Sequence, residues 1–413
     1  MHWADARQAA RDAVKPLEAV ELPLADALGM ALASPVRALV ALPGYDNSAM
    51  DGYAVAGTGP WTVVGAVRAG GVPHPSPLRP GTAVEIATGA PVPPGTRAVL
   101  PVEHAVHKGR RVAGTVPDGK HVRRRGEDCP EGRELLATAT TVTAAGLGAA
   151  AQAGHDTLLV HRRPRVAVVV TGDELETSGR PRPGRVRDAI GPMLPGLLRA
   201  AGAEEHGLLC RSLPIRLQPR RKRVPTSRSA AARIRLLPVG LVTWLADRPD
   251  GLTAALTEGD ADVVVVCGAT SAGPADHLRG VLQALRADVR VNGVACRPGH
   301  PQLLAVLLDG RCVVGLPGNP FAALAAGLTL LAPLLATLGG HRVPAPLTAR
   351  LTGPVTPHHQ DTKLVAVTRS GSTATPTGHD RPGSLWGAAL ADALAVIPPE
   401  WDGGEAELLP LPS

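Results

Sequence analysis

The sequence predicts a multidomain α/β protein, with a central three-layer α/β/α domain, β-rich segments before it and a small β domain after it. Three observations predict this. Largely apolar runs at residues 165–170, 262–266 and 312–316, without polar alternation, read as strands buried on both faces. Helical patterns at 193–201 and 277–285 lie between them, the order expected of a parallel sheet covered by crossover helices. Short Val/Thr/Ala runs punctuated by Pro and Gly flank this middle, at 61–67, 82–86, 98–101 and 134–136 before it and at 347–351, 363–367, 394–397 and 406–409 after it.

From the N-terminus, residues 1–20 mix Asp5, Arg7, Arg11, Asp12, Lys15 and Glu18 with alanines, which predicts an amphipathic helix rather than a signal peptide. Residues 43–55 then read Pro-Gly-Tyr-Asp-Asn-Ser-Ala-Met-Asp-Gly-Tyr-Ala-Val and hold both tyrosines of the chain. Proline and glycine set a turn, Asp46 and Asn47 are expected to hydrogen-bond their own backbone, and Asp51-Gly52 sits where a strand at 53–55 begins. A carboxylate is thereby held on a tight, partly exposed loop. The plainer alternative is a surface turn whose aspartates only cap amides.

Each central run ends in small residues: Thr171-Gly172-Asp173-Glu174, then 267–273, then Pro317-Gly318-Asn319-Pro320, which opens a long helix. Parallel strands with right-handed crossovers place all these ends on one edge of the sheet. Backbone amides and helix N-termini gathered there suit a phosphate or another oxyanion. The alternative is that glycine and proline merely end strands; three such loops in register favour a ligand.

Residues 321–338 carry no charge over 18 positions and meet the minimal length of a membrane span. Two threonines, Gly327, Pro333 and many alanines weaken that reading, and a core helix behind the Gly-Asn-Pro turn is expected instead. No membrane partner is expected.

The net charge of +7 is concentrated in one place: nine basic residues and no acid lie between 210 and 236, so the rest of the chain is slightly acidic. This Pro/Ser/Arg-rich stretch reads as a solvated insertion. Without interleaved aromatic residues it lacks a base-stacking surface, and nucleic acid is not an expected partner. Five scattered cysteines with no Cys-x-x-Cys pair indicate neither a zinc knuckle nor a disulfide framework, which fits a reducing cytoplasm.

Six ordered motifs resemble those of the MoeA-type molybdopterin molybdotransferases, the family that includes the gephyrin E domain. They are the 43–55 run, Ala87-Thr-Gly-Ala-Pro-Val-Pro93, Gly126-Glu-Asp128, Val170-Thr-Gly-Asp-Glu-Leu175, Pro298-Gly-His-Pro301 and Gly315-Leu-Pro-Gly-Asn-Pro320. The resemblance covers nearly the whole chain except the basic insertion. It implies an elongated domain from 1–39 plus 123–160, an inserted β-rich domain at 40–122, a MogA-like molybdopterin-binding domain at 161–340 and a C-terminal β-barrel at 341–413. It further implies a homodimer that inserts molybdate into adenylylated molybdopterin with magnesium and releases AMP, working beside other molybdenum-cofactor synthesis proteins. A site that must grip a divalent ion and host oxyanions needs carboxylates and fixed positive groups together.

By motif position the resemblance implies Asp51, Thr88, Asp128, Glu174 and Asp276 as the catalytic set, and Asp51, Glu174, Asp247 and Asp276 as metal ligands. Substrate binding would fall to Gly172, Asp173, Asp188, Gly268, Ser271, Gly273, Arg297, His300, Pro317, Gly318, Asn319, Pro320 and Ser384. More local duties remain open: Asp173 and Glu174 as helix caps, Thr88 in a turn, Asp128 paired with a basic residue of 123–125.

The chain departs from the family pattern at three places. Gly268-Ala-Thr-Ser-Ala-Gly273 stands for Gly-Gly-Val-Ser-Val-Gly, and Asp188-Ala189-Ile190 for Asp-Ser-Asn. Arg297 and His300 replace two lysines around the Pro-Gly-Lys-Pro turn; a guanidinium keeps charge in a planar fork, whereas an imidazole is mostly uncharged near pH 7. These replacements also admit an alternative, a non-catalytic copy that binds molybdopterin or a partner protein. A pyridine-nucleotide amidohydrolase, with a similar central unit, is disfavoured by the 43–55 run.

Overall fold

Val166, Val168 and Val170 face one hydrophobic cluster while Ala167 and Val169 face another, so the first central strand is buried on both sides as its composition requires. The computed structural model describes residues 1–207, 242–268, 270 and 277–412; the basic segment 210–236 and Ser271, Gly273 and Asp276 lie outside the described residues. The chain divides into two units, one of residues 21–160 and one of residues 1–20 with 161–413.

In the larger unit the strands run Glu204–Glu205, Arg165–Thr171, Val263–Cys267, Cys312–Leu316, Leu303–Val306 and Asp288–Asn292 across one sheet, and Val242–Leu245 also pairs with Arg165–Thr171. The first four are mutually parallel. The last two are antiparallel additions that the sequence reading did not anticipate. Helices Ile190–Ala200 and Pro320–Ala326 cover one face, through Leu194, Leu198 and Phe321; Pro249–Thr257 and Leu278–Ala284 cover the other, through Leu252, Leu256 and Leu282. Phe321 is fully buried, a contribution of about 2–3 kcal/mol.

The charge-free stretch is a core helix, 83% buried over its most apolar window at mean hydropathy 2.0. It passes through a π turn at Gly327–Leu331. Pro333 has no N–H to offer the preceding turn, and the wider turn sits just before it. The N-terminal helix Trp3–Asp12 packs there: the Trp3 indole donates to Thr329 Oγ1 at 3.1 Å and the Arg7 guanidinium to the Leu328 carbonyl at 2.7 Å.

The C-terminal strands Leu347–Leu351, Thr362–Ser370, Thr373–Pro376, Ala393–Ile397 and Glu405–Pro410 form a closed five-stranded barrel. Closure comes from Thr362–Ser370, which pairs with both Thr373–Pro376 and Ala393–Ile397. So small a barrel has little interior volume, and Ala349, Ala374, Ala393, Ala395 and Ala406 supply small inward residues. Leu364, Ala366, Leu394 and Val396 alternate with these and join the α/β core.

The smaller unit holds a six-stranded sheet ordered Ala98–Pro101, Gly52–Val55, Thr82–Ile86, Trp61–Val67, Arg111–Ala113 and Val106–Lys108. Glycine is required at position 52 because a Cβ there would meet the Leu100 carbonyl oxygen at 2.1 Å. The close crossing fixes where Asp51 leaves the strand.

Candidate active site

Within the smaller unit, three of the sequence motifs meet. Asp51 Oδ1 accepts a hydrogen bond from the Thr88 amide at 2.7 Å, and both residues are exposed. The Ser48 amide donates to Ala90 and the Gly89 amide to Ser48, both backbone contacts, while the Tyr45 hydroxyl reaches the Gly89 carbonyl at 3.2 Å. The 126–128 motif closes on the same loop, with Gly126 N donating to the Pro43 carbonyl at 2.9 Å and Asp128 N to the Leu42 carbonyl at 3.0 Å.

Asp46 departs from expectation. Its carboxylate bonds neither its own backbone nor a near neighbour; it accepts from the Arg124 guanidinium at 2.6 Å and the Arg125 amide at 2.8 Å. The Arg125 amide, with Arg124 joining it against the opposing effect of desolvation, holds the Asp46 carboxyl below the usual carboxylate range. Asn47 does turn back locally, donating to the Tyr45 carbonyl at 3.2 Å. With Arg124 on Asp46 and Arg125 on Glu131, the Asp128 carboxylate is not the partner of either guanidinium. No sequence signal short of a 78-residue pairing would have exposed the Asp46 role.

In the larger unit, the loops after the parallel strands share the expected edge. After Arg165–Thr171, the Asp173 amide donates to Asp247 Oδ2 at 3.2 Å, which brings Asp247 beside the Gly172-Asp173-Glu174 turn. The Arg185 guanidinium donates to the Asp173 carbonyl and the Val186 amide to the Glu174 carbonyl, so a strand-like return pins this turn; no helix follows for Asp173 or Glu174 to cap. After Val263–Cys267, the Gly268 amide donates to the Leu316 carbonyl at 3.2 Å. Gly268 has φ +98°, and a Cβ there would lie 2.4 Å from the Thr171 carbonyl oxygen, so only glycine brings these loops together. Pro317, Gly318, Asn319 and Pro320 form the third loop, Gly318 lying over Gly268.

The barrel touches this third loop. The Pro382 carbonyl accepts from the Phe321 amide at 3.0 Å, and Gly383, beside Ser384, approaches Asn319 Oδ1. Ser384 Oγ caps the Trp386 amide at 3.3 Å. Arg297 pairs with Asp361 at 2.7 Å, and His300 is exposed with its carbonyl accepting from the Val294 and Gln302 amides. Burial pushes the Asp361 carboxyl up, but Arg297, with His358 and His300 beyond, overrides this and holds it below the usual carboxylate range.

Asp188 is placed differently from an open binding residue. It is buried, and its carboxylate accepts from the Ile190 and Gly191 amides at 3.0 Å each and from the Trp244 indole at 2.9 Å. One oxygen serves the first amides of the helix Ile190–Ala200 and the other the Trp244 indole. Two buried thiols are poor nucleophiles: burial pushes Cys296 and Cys312 up to about 12.

The acidic set matches a hard divalent cation in donor chemistry. Glu174 and the Asp173-anchored Asp247 stand on adjacent loops, and magnesium takes one or two carboxylates with phosphate oxygens completing its shell. Among the described residues no group of three or more such ligands is assembled, and Asp276 lies outside them.

Comparisons with known proteins identify the family. Residues 1–154 match the family model described as MoeA N-terminal region (domain I and II), and residues 231–337 the one described as Probable molybdopterin binding domain. A protein of Mycobacterium tuberculosis named molybdopterin molybdenumtransferase 2 is 33% identical over 81% of this chain and 80% of its own length. The molybdopterin molybdenumtransferase of a Nostoc species is 32% identical over 80% of this chain and 71% of its own. The crystal structure of a molybdopterin biosynthesis MoeA protein from Pyrococcus horikoshii matches with TM-score 0.75 at 25% identity, covering 99% of this chain and 98% of that one. The chain therefore belongs to the MoeA-type molybdopterin molybdenumtransferase family.

Proposed function

We propose that this chain inserts molybdate into adenylylated molybdopterin and releases AMP, acting as a homodimer in the cytoplasm with magnesium bound. The observation that supports the reading most is the gathering of Gly172 to Glu174, Asp247, Gly268 and Pro317 to Pro320 on one strand edge, where glycine loops leave room for phosphate and carboxylates can hold a cation.

Glu174 and Asp247 would hold the magnesium together with Asp276, and Asp51 is proposed as a further carboxylate that the reaction uses. The ion would neutralise phosphate charge when bound. The remaining work falls to the chain itself. The Gly268 and Gly318 loops receive phosphate without side-chain obstruction, Arg297 and His300 offer N–H donors to the oxyanion, and the Thr88 amide keeps the Asp51 carboxylate aimed. Ser384, on the barrel loop beside Asn319, offers a hydroxyl to the same ligand.

The test is incubation of the pure protein with adenylylated molybdopterin, magnesium and molybdate, with AMP followed over time. AMP release that requires molybdate supports the proposal. Binding of molybdopterin without AMP release would instead mark a non-catalytic member. Light scattering at micromolar concentration tests the dimer.

A further inference from the structure

One cavity at the barrel is not used by the assignments above. It has a volume of about 190 Å³ and is lined by residues that include Pro354, Lys363, Pro376, Thr377, His379 and Asp380. That is smaller than the roughly 300–1,000 Å³ of a site enclosing a whole drug-sized ligand, and suits one ring system.

Its polar groups are arranged for recognition. Lys363 Nζ lies 3.1 Å from Asp380 Oδ2, with both side chains partly open to solvent, so a donor and an acceptor stand side by side. Thr377 Oγ1 is buried without a hydrogen-bond partner among the described residues, a state that ordinarily costs about 1–3 kcal/mol. His379 stacks on Trp386 at 4.0 Å with the rings 17° apart, which fixes the imidazole against the cavity. Trp386 is 62% exposed in a chain whose aromatic content is only 2%, so this ring is not spare core.

The position of the cavity ties it to the strand-edge site. Lys363 sits opposite Arg297 in the strand pairing, and the chain from Asp380 reaches Pro382 and Gly383, which contact Phe321 and Asn319 of the third loop. A ligand whose phosphate lies at Gly318 and Asn319 can thus extend a ring toward Asp380.

Resting on the function proposed above, we infer that this cavity is the subsite for the amino-oxo heterocycle of the substrate, its pterin ring. A carboxylate beside an ammonium matches the pterin edge: the 2-amino group and N3–H both donate to Asp380, while O4 accepts from Lys363. Adenine offers the same pair only one donor, its 6-amino group, beside the N1 acceptor, so it makes a single hydrogen bond to the Asp380 carboxylate where the pterin edge makes two. Prolines and the His379 ring supply the flat faces.

The experiment titrates the full-length protein with 6-hydroxymethylpterin and, separately, with AMP, using wild type, Asp380→Asn and Thr377→Val. Asp380→Asn should weaken the pterin at least tenfold and leave AMP within twofold; Thr377→Val should weaken the pterin by a smaller factor. Unchanged pterin affinity in Asp380→Asn, no pterin binding by wild type, or a loss confined to AMP would each overturn the assignment. AMP release by the same preparations separates the two readings. Turnover in wild type with an unaltered KM in Asp380→Asn sinks the subsite alone, whereas absence of turnover in wild type sinks the function.

Discussion

The Asp51 carboxylate is held by the backbone amide of Thr88 at 2.7 Å, joining two sequence motifs 37 residues apart. The bond uses one oxygen of an exposed side chain, which leaves the residue both fixed and able to take a ligand.

Asp51→Asn keeps an oxygen for the Thr88 amide but removes the charge. Molybdate-dependent AMP release should fall roughly ten- to a hundredfold, the range for losing support of a metal site, with the thermal midpoint nearly unchanged. Full activity in this variant would remove Asp51 from the proposed site.

His300→Lys should tighten molybdate binding. An added charge a few ångströms from an anion at a solvated site contributes roughly 1 kcal/mol, about fivefold in affinity. Calorimetric titration reads this directly, and equal dissociation constants for the two proteins would refute the role given to position 300.

Asp188→Ala should damage the fold before it affects ligands, because three donors lose their acceptor. Losing a helix cap and leaving the Trp244 indole unpaired is expected to cost roughly 2–3 kcal/mol in urea unfolding. A variant with wild-type stability but weakened substrate binding would show the opposite assignment to be right.

Asp262 accepts from both terminal nitrogens of Arg162, at 2.6 and 2.8 Å, and from the Arg165 amide at 2.8 Å. Burial pushes this carboxyl up, yet Arg162 and the Arg165 amide prevail and hold it below the usual carboxylate range. A depressed folded value means the stabilisation is complete above the unfolded value of about 3.9 and is lost as pH falls below it through the folded value. Asp262→Ala should therefore cost roughly 3 kcal/mol at pH 7, the figure for breaking a largely buried pair, and the gap to wild type should narrow in acid. A gap that is constant from pH 7 down to pH 2 would contradict this account.

Much of the fold was legible because it depends on short-range pattern. The runs at 61–67, 82–86, 98–101, 134–136 and 347–351 coincide with strands Trp61–Val67, Thr82–Ile86, Ala98–Pro101, Glu134–Leu136 and Leu347–Leu351. The central valine runs could be assigned to a doubly covered sheet because unbroken apolarity has few other uses at that length. The antiparallel strands Asp288–Asn292 and Leu303–Val306 escaped, since the first is mostly exposed and mixes charge into its pattern.

By itself, then, the sequence determined which segments are strands and helices, where glycine-rich loops end them and which family's motifs they carry, since periodicity and turn chemistry act over a few residues. Only the tertiary structure decided which side chains face one another: that Asp46 serves Arg124, that Asp188 is consumed by a helix start and Trp244, and that Lys363 and Asp380 flank a cavity. These partners lie tens of residues apart, or share a cavity only once the barrel has closed. A carboxylate's free or occupied state is set by which donors chain closure brings within 3 Å, and no local pattern encodes that distance.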